Sequence, residues 1–246
     1  MKKMLRKKDG SEIAYHKIDR TKPDLPGVVF LGGFHSDMSG SKACYLEACC
    51  KRWGNAYVRF DYFAHGETPG DFAQGTIGRW LDDTLAIIDE LTEGPQILVG
   101  SSMGGWIMLL ATLKRLARVK GLVGIAAAPD FLDDIERLSI DQHQALVKHG
   151  VCYIPAAEGD PYPITENLVT EGRNHRVLTA PIAIHCPVRL LHGLADPDVP
   201  WQKSIEISEL ILSEDVIVTL IKDGDHRLSN DQQLKILGDT VFGLFN

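Results

Sequence analysis

One run of nine residues constrains this chain more than any other: Ile97-Leu98-Val99-Gly100-Ser101-Ser102-Met103-Gly104-Gly105. Apolar residues lead into Gly-Ser-Ser-Met-Gly, and a second apolar run begins at Trp106. The pattern predicts a buried strand, a very tight turn and a buried helix. In a G-x-S-x-G arrangement the central serine, Ser102, sits at the turn, where a strained backbone lifts its hydroxyl out of the sheet. A Cβ at position 100 or 104 would collide with the neighbouring strand or helix. The helix that follows aims its free N–H groups and positive dipole end at the same place, so an anion forming at Ser102 would be stabilised there. Such a turn also occurs without chemistry, and the remainder of the chain must discriminate.

The apolar runs Val28–Leu31, Ala56–Phe60, Ile97–Gly100, Gly121–Ala127, Val188–His192 and Val216–Ile221 read as buried strands. Helical patterns fall between or after them, at residues 39–53, 76–93, 103–118, 201–212 and from 230. A more polar alternating stretch at 11–19 reads as an edge strand. This alternation predicts one α/β domain over 1–246, a mostly parallel sheet with helices on both faces. It stops at Pro129. Residues 130–180 hold two helical stretches around a Pro/Gly-rich middle, with nine acidic residues against four basic. They are expected to form a small helical cap inserted over the site, with Phe131, Ile135, Leu138, Leu168, Val169, Val177 and Leu178 turned inward.

Composition narrows the classes of function. A net charge of -7 offers no basic face for nucleic acid. No apolar run approaches the ~20 residues of a membrane helix. The basic start, Met1 to Gly10, lacks the apolar segment of a secretory signal. The five cysteines, at 44, 49, 50, 152 and 186, have no C-x-x-C spacing and read as reduced thiols. His16, His143, His149, His175 and His185 show no ligand spacing, so no metal is expected. These features together read as a cytoplasmic protein.

Ligands on parallel sheets bind at the carboxyl ends of the strands. A serine hydroxyl there needs a base, and the base needs an orienting acid. Two strand-end loops supply them in a workable order: Asp196 in Gly193–Pro200 as acid, and His226 in Asp223–His226 as base. Asp198 and Asp130 are the competing acids. The backbone N–H groups of Phe34, after Gly32-Gly33, and of Met103 are the candidate oxyanion donors. His35, His65 and, from the cap, Leu168 are expected to line a substrate pocket. His192, ending a buried strand, reads as a hydrogen-bonded structural residue.

Several longer stretches resemble the α/β-hydrolase superfamily: residues 36–43, Arg59–Tyr62, Gly94–Trp106 (GPQILVGSSMGGW), Cys186–Gly193 (CPVRLLHG), Val199–Trp201 and Asp225–Arg227. The resemblance spans nearly the whole chain. It is strongest to a mitochondrial branch of serine hydrolases associated with palmitoyl thioesters and acyl glucuronides. It implies the α/β-hydrolase fold and a serine hydrolase cleaving esters or acyl thioesters, an acylated protein included, through Ser102, His226 and Asp196 without a cofactor. The compartment implied is the bacterial cytoplasm, or the mitochondrial matrix for a processed eukaryotic homologue. Ala64 departs from the Gly of many relatives in the D-x-x-G-x-G loop. Two other readings remain open: a prolyl-type aminopeptidase, which needs cap carboxylates to hold an amine, and a silent binding protein on the same fold.

Overall fold

The computed structural model describes residues 3–133, 138–155 and 161–245. β1 (Lys3–Arg6) and β2 (Glu12–Ile18) pair antiparallel at one edge of an eight-stranded sheet. β2 in turn runs antiparallel to β4 (Tyr57–Phe60). From β4 onward the strands are parallel, in the order β4, β3 (Gly27–Leu31), β5 (Gln96–Ser101), β6 (Val119–Ile125), β9 (Val188–Gly193) and β10 (Val216–Ile221), the last two joined through α6 (Gln202–Leu210).

Given this strand order, helix placement follows from one rule. Parallel crossovers are right-handed, so connections that move in opposite directions across the sheet put their helices on opposite faces. From β3 the chain moves outward to β4 through α1 (Ser41–Trp53). It then reverses, through α2 (Ile77–Leu91) to β5 and α3 (Met103–Lys114) to β6. The core divides accordingly. Val28, Phe30, Ile97 and Val99 pack with Ala43 and Leu46 of α1 and with Leu237 and Val241 of α7 (Asp231–Phe242). Val29, Leu31 and Leu98 pack on the other face with Ile77, Trp80, Trp106 and Ile107. The order reverses between β3 and β5, and the crevice at their carboxyl ends is where a ligand site forms in such sheets.

The tight turn after β5 needs its glycines. A Cβ on Gly104 would lie 2.2 Å from the carbonyl oxygen of Leu31, and one on Gly100 would lie 2.4 Å from that of Gly104. α3 therefore packs directly on the end of β3 and on the loop that follows it.

Between β6 and β9 lie α4 (Ile140–His149), β7 (Val151–Ile154), β8 (Tyr162–Thr165) and α5 (Glu166–Gly172). A Ser139–Gln142 capping box opens α4, and left-handed Gly150 closes it. The sequence predicts a helical segment here; among the described residues the structure holds two α-helices and, between them, an antiparallel pair, β7 with β8. Four-residue strands are too short to show a period, and Pro163 weakens the strand signal further. The segment shares the α2–α3 core, to which Leu132, Leu146, Cys152, Leu168 and Val177 belong. Ile135 lies outside the described residues. Among the described residues no helix is long and apolar enough to cross a membrane.

Candidate functional site

Ser102 follows β5 with φ 54° and ψ -121°, a conformation that costs an L-residue about 1–3 kcal/mol. Three hydrogen bonds hold it there. Its N–H donates to Ile125 O at 2.9 Å, and its carbonyl accepts from Gly105 and Ala128 at 2.8 and 3.1 Å. Among the described residues the other non-glycines with positive φ are His35, Ala64, Ala126, Asp130 and Leu228. Each of these lies in a loop after a carboxyl end of the sheet, so backbone strain concentrates around the crevice. Ala64, at φ 57°, occupies a left-handed position that suits Gly.

The loops after β9 and β10 bring their side chains to Ser102. His226 Nε2 is 3.0 Å from Ser102 Oγ, and His226 Nδ1 is 2.8 Å from Asp196 Oδ2. Asp196 Oδ1 accepts from the N–H groups of Asp198 and Val199 at 2.8 and 2.9 Å. A carboxylate only accepts, so His226 carries its proton on Nδ1 and turns the Nε2 lone pair toward the serine hydroxyl. Burial alone would raise the Asp196 pKa. His192, His226 and the Val199 N–H outweigh it and hold the carboxyl well below the usual carboxylate range.

His192 is fully buried beneath this carboxylate. Its Nε2 is 3.0 Å from Val199 O and 3.2 Å from Asp196 Oδ2, and its Nδ1 is 2.7 Å from Ser204 Oγ. Two acceptors at Nε2 place the proton there, and Nδ1 accepts from the Ser204 hydroxyl. The structural role expected from sequence thus includes support of Asp196, and no sequence signal pairs these two residues. The rival Asp130 is occupied elsewhere: its carboxylate accepts from the N–H groups of Val177 and Leu178. Asp198 meets Asp196 through its backbone.

Ser102 and His226 open onto a cavity of about 1030 Å³, which Phe34, His35 and Met103 also line. Phe131, Leu138, Gln142, Ile154, Tyr162 and Ile164, all from the segment between β6 and β9, form one wall. Lys42, Lys203 and Arg227 lie on the lining with Asp37 and Asp198, and Lys42 Nζ donates to the Arg227 carbonyl.

Two expected pocket residues do not line this cavity. Leu168 is 2% exposed and packs in the core on α5, which lies against α2. Helical spacing identified an inward face but not what meets it. His65 is 3% exposed and lies behind the Phe34–His35 turn.

The Phe34–His35 turn runs close to Ser102. A Cβ on Gly33 would lie 3.3 Å from Ser102 Cβ. Among the described residues the Phe34 N–H has no hydrogen-bond acceptor. Met103 opens α3, so its N–H belongs to the first turn, whose donors lack partners within the helix. The Phe34 ring makes edge contacts with Phe72, Trp80, Phe131 and Tyr162.

Asp196, Asp198 and His226 bring three ligand atoms within 4.8 Å of one another. Both Asp196 oxygens and both His226 nitrogens already have hydrogen-bond partners.

Residues 28–234 match the model of the alpha/beta hydrolase family. Mitochondrial palmitoyl-protein thioesterase ABHD10 of Bos taurus is 40% identical over 245 residues, covering 98% of this chain and 79% of its own. The solved structure of alpha/beta hydrolase domain-containing protein 10 from mouse superposes with a TM-score of 0.91 at 38% identity, over 99% of this chain and 98% of that one. A structure from Agrobacterium vitis S4, whose name goes no further than hydrolase, reaches a TM-score of 0.95 at 35% identity, over 100% and 99% of the two chains. With the family's pattern matched across most of its length and the sheet built in the same way, this chain belongs to the alpha/beta hydrolase family.

Proposed function

We propose that this protein is a serine hydrolase that cleaves carboxylic esters or thioesters through an acyl-enzyme on Ser102. The observation that carries the reading is the unbroken line from Ser102 Oγ to His226 Nε2, at 3.0 Å, and from His226 Nδ1 to Asp196, at 2.8 Å. His226 takes the Ser102 proton as the serine oxygen attacks the acyl carbonyl. The imidazolium so formed is stabilised by the ionised Asp196. The N–H groups of Phe34 and Met103 hold the developing oxyanion. His226 then passes its proton to the departing alcohol or thiol, and water repeats the sequence on the acyl-enzyme. No cofactor enters these steps.

The curated relative's name, palmitoyl-protein thioesterase, supports an acyl substrate that includes acylated protein. So does the wall formed by the described lining residues of the segment between β6 and β9, acting as a cap. Its described lining is apolar apart from Gln142 and the Tyr162 hydroxyl. An aminopeptidase would need a carboxylate there to hold the substrate amine, and the described lining of this segment carries none, which favours the ester reading. The expected compartment is the mitochondrial matrix for a eukaryotic source and the cytoplasm for a bacterial one.

A fluorophosphonate probe tests the proposal. Labelling should map to Ser102 by peptide mass spectrometry and abolish hydrolysis of p-nitrophenyl esters and acyl thioesters. Absence of labelling and of turnover on both panels, or labelling at Ser101, would overturn it.

A further inference from the structure

His65 is built into the fold behind the cavity wall, where the proposed reaction does not use it directly. Its ring lies among Tyr62, Phe72 and Trp80, with centroid separations of 5.5, 5.1 and 5.2 Å. Its Nδ1 is 3.0 Å from the Phe63 carbonyl oxygen. That oxygen only accepts, so Nδ1 carries the proton and Nε2 is a bare lone pair. The His35 N–H donates to this lone pair at 3.2 Å. Phe63 is fixed in turn by α2: its N–H donates to Asp83 Oδ2 at 2.8 Å, and its carbonyl accepts from Trp80 Nε1 at 3.1 Å. Asp83 is held by Lys7 at 2.7 Å.

Hydrogen bonds therefore run without a gap from α2, through Phe63 and His65, to the amide of His35. That amide is the next one along the chain from the Phe34 N–H. His35 itself sits at φ 57°, which an L-residue adopts only when its surroundings impose it. The aromatic contacts of Phe34 hold its ring but do not set the direction of its peptide.

We propose that neutral His65, protonated on Nδ1, is a positioning residue that pins the Phe34–His35 turn and so aims the Phe34 N–H at the oxyanion. The inference rests on the reading of Ser102 as nucleophile. Burial pushes the His65 pKa down to about 4, which keeps the Nε2 lone pair free at neutral pH.

His65→Phe keeps the ring contacts and removes both nitrogens, while His65→Gln returns an acceptor. Loss of an oxyanion donor costs about 10²–10³-fold, and misaiming one should cost about 10–100-fold in kcat. KM should stay within about threefold, because the lost interaction belongs to the transition state. A trifluoromethyl ketone, which forms an oxyanion on Ser102, should bind more weakly by the same factor as kcat falls. His65→Gln should recover part of both. A merely structural ring would leave ketone affinity unchanged. Turnover and ketone affinity of folded His65→Phe within about twofold of the parent would overturn the proposal.

Two controls separate this failure from failure of the underlying reading. If fluorophosphonate labels Ser102 and Ser102→Ala is inactive, the serine-hydrolase reading stands whatever His65 does; if not, both fall. Should His65→Phe not fold, ¹⁵N-histidine NMR of the unmodified protein at pH 7 decides. An Nδ1–H imidazole with an unprotonated Nε2 supports the proposal, and an Nε2–H or doubly protonated ring refutes it.

Discussion

Asp196→Asn exchanges a single oxygen for an NH₂, yet the surroundings of that side chain make the change severe. All its close neighbours are donors: the N–H groups of Asp198 and Val199 on Oδ1, and His226 Nδ1–H on Oδ2 at 2.8 Å, with His192 Nε2 3.2 Å from the same atom. Asparagine offers one acceptor atom for these two sites. With its NH₂ toward the backbone, donors face donors, at about 1–3 kcal/mol for each buried group left unpaired. With its NH₂ toward His226, the imidazole pairs only by moving its proton to Nε2, the tautomer that cannot accept from Ser102. The second orientation is the less costly, because His192 Nε2–H keeps the Val199 carbonyl as its acceptor, so the variant should fold while losing its base. On the precedent of serine proteases, kcat should fall about 10⁴-fold, equivalent to about 5.5 kcal/mol. KM should change little. Steady-state hydrolysis of p-nitrophenyl butyrate, with urea unfolding run beside it, measures both effects. Turnover within about tenfold of the parent in a folded variant would remove Asp196 from the reaction. Asp130→Asn is the matched control. Its carboxylate serves the N–H groups of Val177 and Leu178, so it should lose stability and keep its kcat.

Ser102→Ala should fold normally and lose on the order of 10⁴–10⁶ in kcat, with Ser101→Ala mild by comparison; the reverse ranking, in the same ester assay, would place the nucleophile at Ser101. If the wall that Phe131, Leu138, Ile154 and Ile164 help to form holds the acyl chain, kcat/KM over straight-chain esters should rise about fourfold for each CH₂ buried, from about 0.8 kcal/mol apiece, up to an optimum. Ile154→Trp should move that optimum to shorter chains and Leu168→Phe should not, since only Ile154 lines the cavity; an optimum unmoved by Ile154→Trp would put the acyl group elsewhere. Folding should depend on pH through His65, whose pKa is about 4 when folded against about 6.5 when unfolded. Between these values the unfolded chain binds the extra proton, so the contribution is fully present above about pH 6.5 and drains as pH falls, by about 2 kcal/mol from pH 7 to pH 5. Urea unfolding of the parent and of His65→Phe at both pH values measures it, and an equal loss in the two proteins would refute the assignment.

The elements that carry Ser102, Asp196 and His226 were legible because each is written locally. A buried strand, glycines at 100 and 104 and an apolar helix specify a turn through contacts between near neighbours. Asp196 and His226 lie in loops after strands that read as plain apolar runs, and the α/β alternation alone puts those loops at one end of the sheet. The strand order is read only from the folded sheet; once it is known, the handedness of crossovers fixes the side on which each helix lies. What the sequence by itself could not determine is which groups meet across the fold. Leu168 has an inward face by helical spacing, but only the packed structure decides that α2 and the core meet it instead of the cavity. β7 and β8 owe their existence to each other and not to their four-residue patterns. His65, 30 residues from His35, and Asp130, 47 residues from Val177, look from sequence like a pocket histidine and a competing acid. Tertiary packing turned both toward backbone amides of distant loops. Sterics along the chain set strands, turns and buried faces, whereas a buried polar group takes whichever donor or acceptor the folded neighbourhood presents, and that neighbourhood exists only once the chain has closed.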